Sequence, residues 1–238
     1  SALFRKKDWQ LVGGYDVNMI YGLEDWEFWI AILKNEGNVK CLDEVGAAFL
    51  FAQTHHGSMK YAGPVRAQLG VRSVFNILGP LANPAMTNYI VLGVYEKELV
   101  RPMADVMKNL GVKRALIVYG DDGLDEISIS STTSVCEIDG DEIKGYTINP
   151  EELGLTLAKK EDIVGGTADE NAIITKDILT GKEQGAKRDI VLLNAGAALY
   201  TIGKAETIKD GVKLAAEMID SGKANEKLEQ FIAYTNVK

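Results

Sequence analysis

The distribution of apolar and polar residues changes character near residue 40. From there onward, short apolar runs bounded by glycine, proline and acidic turns predict strands, and apolar residues recurring every three or four positions predict helices. The predicted strands are residues 89–95, 114–119, 127–131, 134–138 and 142–148, the last two joined as a hairpin across Asp139 and Gly140. The predicted helices are residues 99–110, 170–179, 189–202, 208–220 and 226–234.

This order of elements predicts an α/β fold in which a mixed sheet is flanked by helices. Gly181, Gly203 and Gly222 each follow a predicted helix within two residues, at the position where a left-handed C-terminal cap is common. Residues 1–39 differ from the rest because they contain all three tryptophans, Trp9, Trp26 and Trp29. We therefore expect two units, a stub of residues 1–39 and a partial α/β domain of residues 40–238.

The overall charge and the cysteine content exclude several classes of protein. A net charge of −8 and a pI near 4.9 argue against nucleic-acid binding, which needs a broad basic face. Cys41 and Cys136 are too few for a disulfide framework, and we expect a cytoplasmic protein. Apolar runs such as residues 45–52 are far shorter than the roughly 20 residues that span a bilayer, and residues 1–8 do not resemble a signal peptide.

The acidic residues are unevenly distributed. Residues 45–95 contain none of the chain's 34 acids, although an even distribution would place about seven there. The basic or potentially basic residues in this stretch are His55, His56, Lys60, Arg66 and Arg72. Such a stretch favours a bound anion, and an arginine can hold a carboxylate through two parallel hydrogen bonds. The alternatives are a buried segment that excludes charge and, for a single histidine, a packing role.

A cluster of opposite charge follows the predicted strand 114–119. Asp121, Asp122, Asp125 and Glu126 lie in one loop at the carboxyl end of that strand, where open α/β sheets bind ligands. Carboxylates there suit Mg²⁺, which takes one or two of them and leaves its other positions to water and phosphate. The alternative is a solvated acidic turn without a ligand.

Residues from about 40 to 238 closely resemble the anthranilate phosphoribosyltransferase family. The matching segments are Phe49-Leu50-Phe51-Ala52, His55-His56, Met59-Lys60, Pro64-Val65-Arg66, Leu69-Gly70-Val71-Arg72, residues 75–84, Asp122-Gly123-Leu124-Asp125-Glu126, Glu170-Asn171-Ala172 and residues 193–200. The resemblance implies a phosphoribosyltransferase-like α/β domain, an incomplete helical domain, a homodimer and a site at the hinge between domains.

The same resemblance implies a reaction and a set of site residues. The amine of anthranilate would attack C1 of phosphoribosyl pyrophosphate, with Mg²⁺-bound pyrophosphate leaving, in tryptophan biosynthesis. By match, Arg66 would contact the anthranilate carboxylate, while His56 and Pro80 would line the entrance. Asp125 and Glu126 would bind Mg²⁺. No residue is assigned as a general acid or base, because catalysis would rest on alignment and charge neutralisation.

The departures from the family lower the activity expected of this polypeptide alone. The family's Gly-Thr-Gly-Gly-Asp phosphate loop, Asn-x-Ser-Thr segment and Lys-His-Gly-Asn-Arg segment are missing. The family usually has His-Pro-Ala-Met-Lys where this chain has His56-Gly57-Ser58-Met59-Lys60, and the last helix is expected to end early. We therefore expect weak binding of phosphoribosyl pyrophosphate and little turnover.

Residues 1–39 resemble part of the family 2 glycosyltransferases in Phe4-Arg5-Lys6, Gly13-Gly14-Tyr15-Asp16 and Leu23-Glu24-Asp25-Trp26. The nucleotide-binding half and the Asp-x-Asp motif of such an enzyme are missing, and an amphipathic helix without chemistry explains the segment equally well. The alternatives for the whole chain are a non-catalytic remnant that dimerises or binds a partner, a nucleic-acid-binding relative, and a family 2 glycosyltransferase fragment.

Overall fold

The structure of the protein is a computed structural model that describes residues 87–235 and, before them, residues 61, 63–65, 68 and 81. The strands of residues 87–235 are β1 (Tyr89–Gly93), β2 (Arg114–Gly120), β3 (Thr133–Asp139) and β4 (Glu142–Ile148). The helices of the same range are α1 (Val100–Asn109), α2 (Ala168–Leu179), α3 (Ala186–Thr201), α4 (Ile208–Asp220) and α5 (Lys223–Thr235). Short 3₁₀ turns occupy Lys97–Leu99, Pro150–Leu153 and Lys160–Ile163.

The four strands form one mixed sheet in the order β1-β2-β3-β4. β1 and β2 are parallel and are connected through α1, whereas β3 is antiparallel to both β2 and β4. The β3–β4 hairpin turns at Gly140, which has a φ of 57°, and pairs Asp139 with Glu142. The predicted α/β fold, with a mixed sheet flanked by helices, is confirmed.

Strand β2 lies between two hydrophobic cores and contributes to both, because alternate side chains point to opposite faces of the sheet. Ala115 and Ile117 face the core that contains Met103 and Met107 of α1. Leu116 and its neighbour Val118 face the other, larger core, to which helices α2, α3 and α4 contribute. Burial on both faces explains why β2 reads in the sequence as a continuous apolar run.

Helices α3 and α4 pack at unusually close range through a pair of glycines. A Cβ atom on Gly196 would lie 2.5 Å from the backbone nitrogen of Val212, and one on Gly211 would lie 2.1 Å from the carbonyl oxygen of Gly196. Both distances are far below van der Waals contact, so only glycine permits this crossing. The contact fixes α4 against α3 on the larger core.

The caps of the helices follow the predicted pattern. Gly181, Gly203 and Gly222 have φ values of 75°, 71° and 78°, and their left-handed conformation closes α2, α3 and α4. At the start of α2, Thr167 and Glu170 form a reciprocal capping box. Within the described part of the chain, no helix is long and apolar enough to cross a membrane.

One predicted strand is wrong. Residues 127–131 are irregular, although Ile127 and Ile129 are fully buried, as the alternating pattern suggested. The backbone N–H of Ser128 donates to Thr133 Oγ1 at 2.9 Å, and the hydroxyl of Ser128 accepts from the backbone N–H of Ser130 at 3.0 Å. These local side-chain bonds take the place of strand pairing.

The glycine contact between α3 and α4 predicts that Gly211→Ala destabilises the protein. Helix propensity favours alanine by about 1 kcal/mol, but the added Cβ would collide with the backbone of Gly196. We expect a net loss of about 2 kcal/mol or more in the free energy of unfolding, measured by urea denaturation.

The matched control for this substitution is Gly145→Ala in β4. The nearest atom to a Cβ at Gly145 lies 3.9 Å away, which is ordinary contact. This variant should stay within about 0.5 kcal/mol of the wild type. Equal stabilities of the two variants would show that the helices do not approach as described.

Candidate functional site

The acidic turn, defined as residues 120–126, lies at the end of the sheet where the parallel strands β1 and β2 both have their carboxyl ends. Its own backbone closes it, because the N–H of Gly120 donates to the carbonyl of Leu124 at 2.7 Å. The turn also presses on the end of β1, since a Cβ on Gly93 would lie 1.4 Å from the carbonyl oxygen of Asp125. Glycine at position 93 therefore provides the space in which the turn sits.

Asp121 serves to hold the turn to neighbouring segments. Its carboxylate accepts hydrogen bonds from Thr132 Oγ1 at 2.6 Å, from Ser134 Oγ at 3.0 Å and from Lys97 Nζ at 2.9 Å. Burial alone would raise the pKa of Asp121, but these three donors outweigh it and the pKa is lowered from its ordinary value. Asp121 is therefore a structural carboxylate that ties the turn to β3 and to the 3₁₀ turn that precedes α1.

Asp122 is engaged in the same way by a different segment. Its Oδ2 accepts from Ser128 Oγ at 2.9 Å and also from Ser130 Oγ. Its Oδ1 is buried without a hydrogen-bond partner among the described residues, and it would lie only 2.8 Å from a Cβ on Gly120. The two serines thus fold the irregular segment 127–131 back onto the turn.

Asp125 and Glu126 are placed differently from the two acids before them. The Asp125 side chain is exposed and makes no hydrogen bond or ion pair within the described ranges, while Glu126 is half-buried beside it. No group of three or more histidine, cysteine or acidic residues in the described part of the chain could hold a metal ion. Two adjacent carboxylates match the chemistry of Mg²⁺ bound through one or two protein ligands together with water and phosphate.

Asn194 of α3 holds the chain directly after Glu126. The backbone N–H of Ile127 donates to Asn194 Oδ1 at 3.1 Å, and Asn194 Nδ2 donates to the carbonyl of Ile127 at 2.9 Å. The same Nδ2 donates to the carbonyl of Ile190 at 3.0 Å, one turn earlier in α3. Both polar backbone groups of Ile127 are thus satisfied by one side chain from a helix 67 residues away.

The C-terminal end of α3 is anchored at the opposite end of the sheet, where β2 begins. Arg114, at the start of β2, donates to the carbonyl of Tyr200 at 3.0 Å and lies over its ring at 4.2 Å. Tyr200 Oη donates to Glu137 Oε1 at 2.7 Å, and Glu137 is only 8% exposed. Burial and the neighbouring Glu137 carboxylate raise the pKa of both Tyr200 and Tyr146.

A cleft of about 630 Å³ lies at this same opposite end of the sheet and not beside the acidic turn. Its lining includes Lys113, Arg114 and Gly203. The backbone N–H groups of Lys113 and Arg114 already donate to the carbonyl of Asn88, so they are not available to a ligand. Chemistry and cavity size therefore point to different ends of the sheet, and the carboxylates favour the acidic turn.

Of the five predicted site residues, the structure describes only the two acids. Asp125 and Glu126 are brought together in the acidic turn, whereas His56, Arg66 and Pro80 lie outside the described residues. Sequence reasoning did not identify Asn194, Gly93 or Lys97 as parts of this region. Gly93 contacts the backbone of the turn and Asn194 bonds the backbone of Ile127 directly after it, and no local sequence pattern signals either contact.

Comparison with known proteins identifies the family of the chain. The sequence profile of the glycosyl transferase family, a/b domain, matches residues 13–225. The chain belongs to this family. The match to the a/b domain begins inside the segment predicted to be a separate stub, and the boundary near residue 40 stays a prediction.

Members of this family with similar sequences are anthranilate phosphoribosyltransferases. That of Methanobrevibacter smithii is 54% identical over 204 residues, which cover 86% of this chain and 61% of that protein. That of Lachnoclostridium phytofermentans is 51% identical over 199 residues, covering 84% of this chain and 59% of that protein. The chain therefore spans about three fifths of the length of these curated relatives.

Solved structures of the a/b domain family share the fold. The anthranilate phosphoribosyltransferase of Thermus thermophilus matches with a TM-score of 0.77 and 43% identity, covering 83% of this chain and 58% of that one. The Saccharomyces cerevisiae enzyme in complex with PRPP (phosphoribosyl pyrophosphate) and Mg matches with a TM-score of 0.69 and 33% identity, covering 76% and 52%.

The hydrogen bonds to Asp121 predict a pH-dependent contribution to stability. Because the folded-state pKa is lowered, the contribution is complete above the ordinary value of 3.8 and is lost as the pH falls through the folded-state pKa. Asp121→Asn should therefore cost about 1–2 kcal/mol at pH 7, and its difference from the wild type should shrink as the pH falls below 3.8.

The measurement is the free energy of unfolding in urea at several values between pH 7 and pH 3. Thr132→Val provides the matched control, because it removes one donor to Asp121 and leaves the carboxylate in place. This variant should show a smaller loss with the same direction of pH dependence. A difference between wild type and Asp121→Asn that stays constant over this range would contradict the structural role of Asp121.

Proposed function

We propose that this chain is part of an anthranilate phosphoribosyltransferase of tryptophan biosynthesis. In that reaction the amine nitrogen of anthranilate forms a bond to C1 of phosphoribosyl pyrophosphate, the bond from C1 to the pyrophosphate oxygen breaks, and the amine loses a proton. The main support is the identity of about half of the aligned residues with enzymes of that name. The position of Asp125 and Glu126 at the carboxyl ends of parallel strands agrees with such a site.

Asp125 and Glu126 would hold Mg²⁺ in this proposal, as a structure of the yeast relative contains PRPP and Mg. The metal would neutralise the negative charge of the leaving pyrophosphate. The exposed carboxylate of Asp125 supports the assignment, because it makes no hydrogen bond or ion pair within the described ranges, whereas Asp121 and Asp122 are bound to hydroxyl and ammonium groups of the protein. Asp125 and the adjacent Glu126 would supply the small number of protein ligands that Mg²⁺ requires.

The proposed anthranilate-binding residues are assigned from the sequence. Arg66 would bind the carboxylate of anthranilate through paired hydrogen bonds, with His56 and Pro80 lining the entrance. A yeast relative has been solved in complex with 4-fluoroanthranilate, which supports a ligand of this class. We further propose that the protein forms a homodimer and acts in the cytoplasm.

We propose that residues 1–39 derive from a family 2 glycosyltransferase. The segments Gly13-Gly14-Tyr15-Asp16 and Leu23-Glu24-Asp25-Trp26 support this origin. A test is the melting temperature of the chain with a sugar nucleotide and Mn²⁺. A rise would favour a retained nucleotide site, and no rise would leave the phosphoribosyltransferase proposal as the function of the chain.

The metal assignment predicts the behaviour of the double variant Asp125→Asn/Glu126→Gln. Mg²⁺ together with phosphoribosyl pyrophosphate should raise the melting temperature of the wild-type chain, because a ligand that binds only the folded state stabilises it. The double variant should lose this rise. Any anthranilate-dependent release of pyrophosphate should fall by about 100-fold or more, since several kcal/mol of charge stabilisation are removed.

The chain offers a control with the same change in charge. Asp141→Asn/Glu142→Gln alters an adjacent pair of acids that is exposed at the β3–β4 hairpin, and it should respond to the ligands like the wild type. If the wild-type chain fails to respond, or if the two double variants respond equally, the proposed site is wrong.

A further inference from the structure

We propose that Asn194 is a positioning residue for the metal-binding carboxylates Asp125 and Glu126. The inference rests on the proposed function, because it assumes that these two carboxylates bind Mg²⁺. It assigns a role in the site to a residue of helix α3 that does not itself contact the metal or the substrates.

Asn194 accepts from the N–H of Ile127 and donates to its carbonyl, with both distances near 3 Å. A primary amide that bonds the N–H and the carbonyl of one residue fixes the orientation of the two peptide units on either side of that residue. Since Glu126 directly precedes Ile127, the bond to the Ile127 N–H fixes the peptide plane from which the Glu126 side chain departs.

The amide of Asn194 is itself held in place. Its Nδ2 also donates to the carbonyl of Ile190 at 3.0 Å, so the side chain is anchored to its own helix. Its orientation is determined by the surrounding donors and acceptors, because Oδ1 faces an N–H and Nδ2 faces two carbonyls. The amide therefore transmits the position of α3 to the acidic turn.

Helix α3 has a fixed position along the sheet. Tyr200 lies six residues beyond Asn194, roughly 9 Å along the helix. It is bound to Arg114 and Glu137 at the end of the sheet opposite the acidic turn. Gly196 locks the same helix against α4. The turn is thus held between a rigid helix on one side and Gly93 of β1 on the other, where the Asp125 carbonyl fills the missing Cβ position.

A metal ion bound by only two protein carboxylates depends on the residues that hold those carboxylates in place. Residues that orient metal ligands from behind typically change metal affinity by about 10–100-fold when they are mutated. Asn194→Ala removes the three hydrogen bonds of the side chain, and Asn194→Leu removes them while retaining a side chain branched at Cγ. Both variants should bind the metal about tenfold more weakly than the wild type.

The experiment is a titration of the full chain with Mn²⁺ alone, which shares the preference of Mg²⁺ for oxygen ligands. The dissociation constant is measured from the paramagnetic broadening of the backbone amide signals of Asp125, Glu126 and Ile127. Amide hydrogen exchange of Ile127 provides a second, metal-free readout, and its protection should be lost in both Asn194 variants.

Met107→Ala is the control for general loss of stability, because Met107 is buried in the core on the other face of the sheet. It should be destabilised yet bind Mn²⁺ with the dissociation constant of the wild type. Asn194 variants that keep the wild-type dissociation constant and the protection of Ile127 would overturn the positioning role. Failure of Mn²⁺ to broaden these signals in the wild type, or an unchanged affinity in Asp125→Asn/Glu126→Gln, would instead overturn the proposed metal site.

Discussion

The hydrogen bonds between Asn194 and the backbone of Ile127 connect the two parts of the molecule on which the candidate site depends. On one side is α3, whose axial position is set by the buried contacts of Tyr200 with Arg114 and Glu137. On the other side is an acidic turn with little regular structure of its own. Without a partner from α3, the buried polar groups of Ile127 would each lack a hydrogen bond, which costs about 1–3 kcal/mol.

Two of the four acids of the turn are held by the hydroxyl groups that surround them. Thr132 and Ser134 bind the carboxylate of Asp121, and Ser128 binds that of Asp122, so these acids stabilise the turn. Placing two further carboxylates in the same seven-residue turn brings like charges together, and bound cations or hydrogen-bond donors must offset the repulsion. Lys97 and Lys160 supply part of the positive charge that offsets the repulsion. Lys97 donates to the side chain of Asp121, and Lys160 donates to the backbone carbonyl of Asp122.

Most of the regular structure and part of the candidate site were predictable from the sequence. The continuous apolar run of β2, the hairpin at Gly140 and the glycine caps are local signals, and each is present in the structure. The segment 127–131 was not predictable from periodicity, because its serines bond to Asp122 and leave no strand pairing. The role of Asn194 was equally hidden, since it depends on a contact between residues far apart in the chain.

The central claim is that Asp125 and Glu126, held by Asn194 and Gly93, form the metal site of the chain. The most direct measurement is a crystal structure of the protein grown with Mn²⁺ and pyrophosphate, with anomalous diffraction used to locate the metal. The account predicts an anomalous peak within coordination distance of both carboxylates, with the Asn194–Ile127 hydrogen bonds intact. A peak bound by other residues, or a turn displaced from Gly93 and α3, would contradict it.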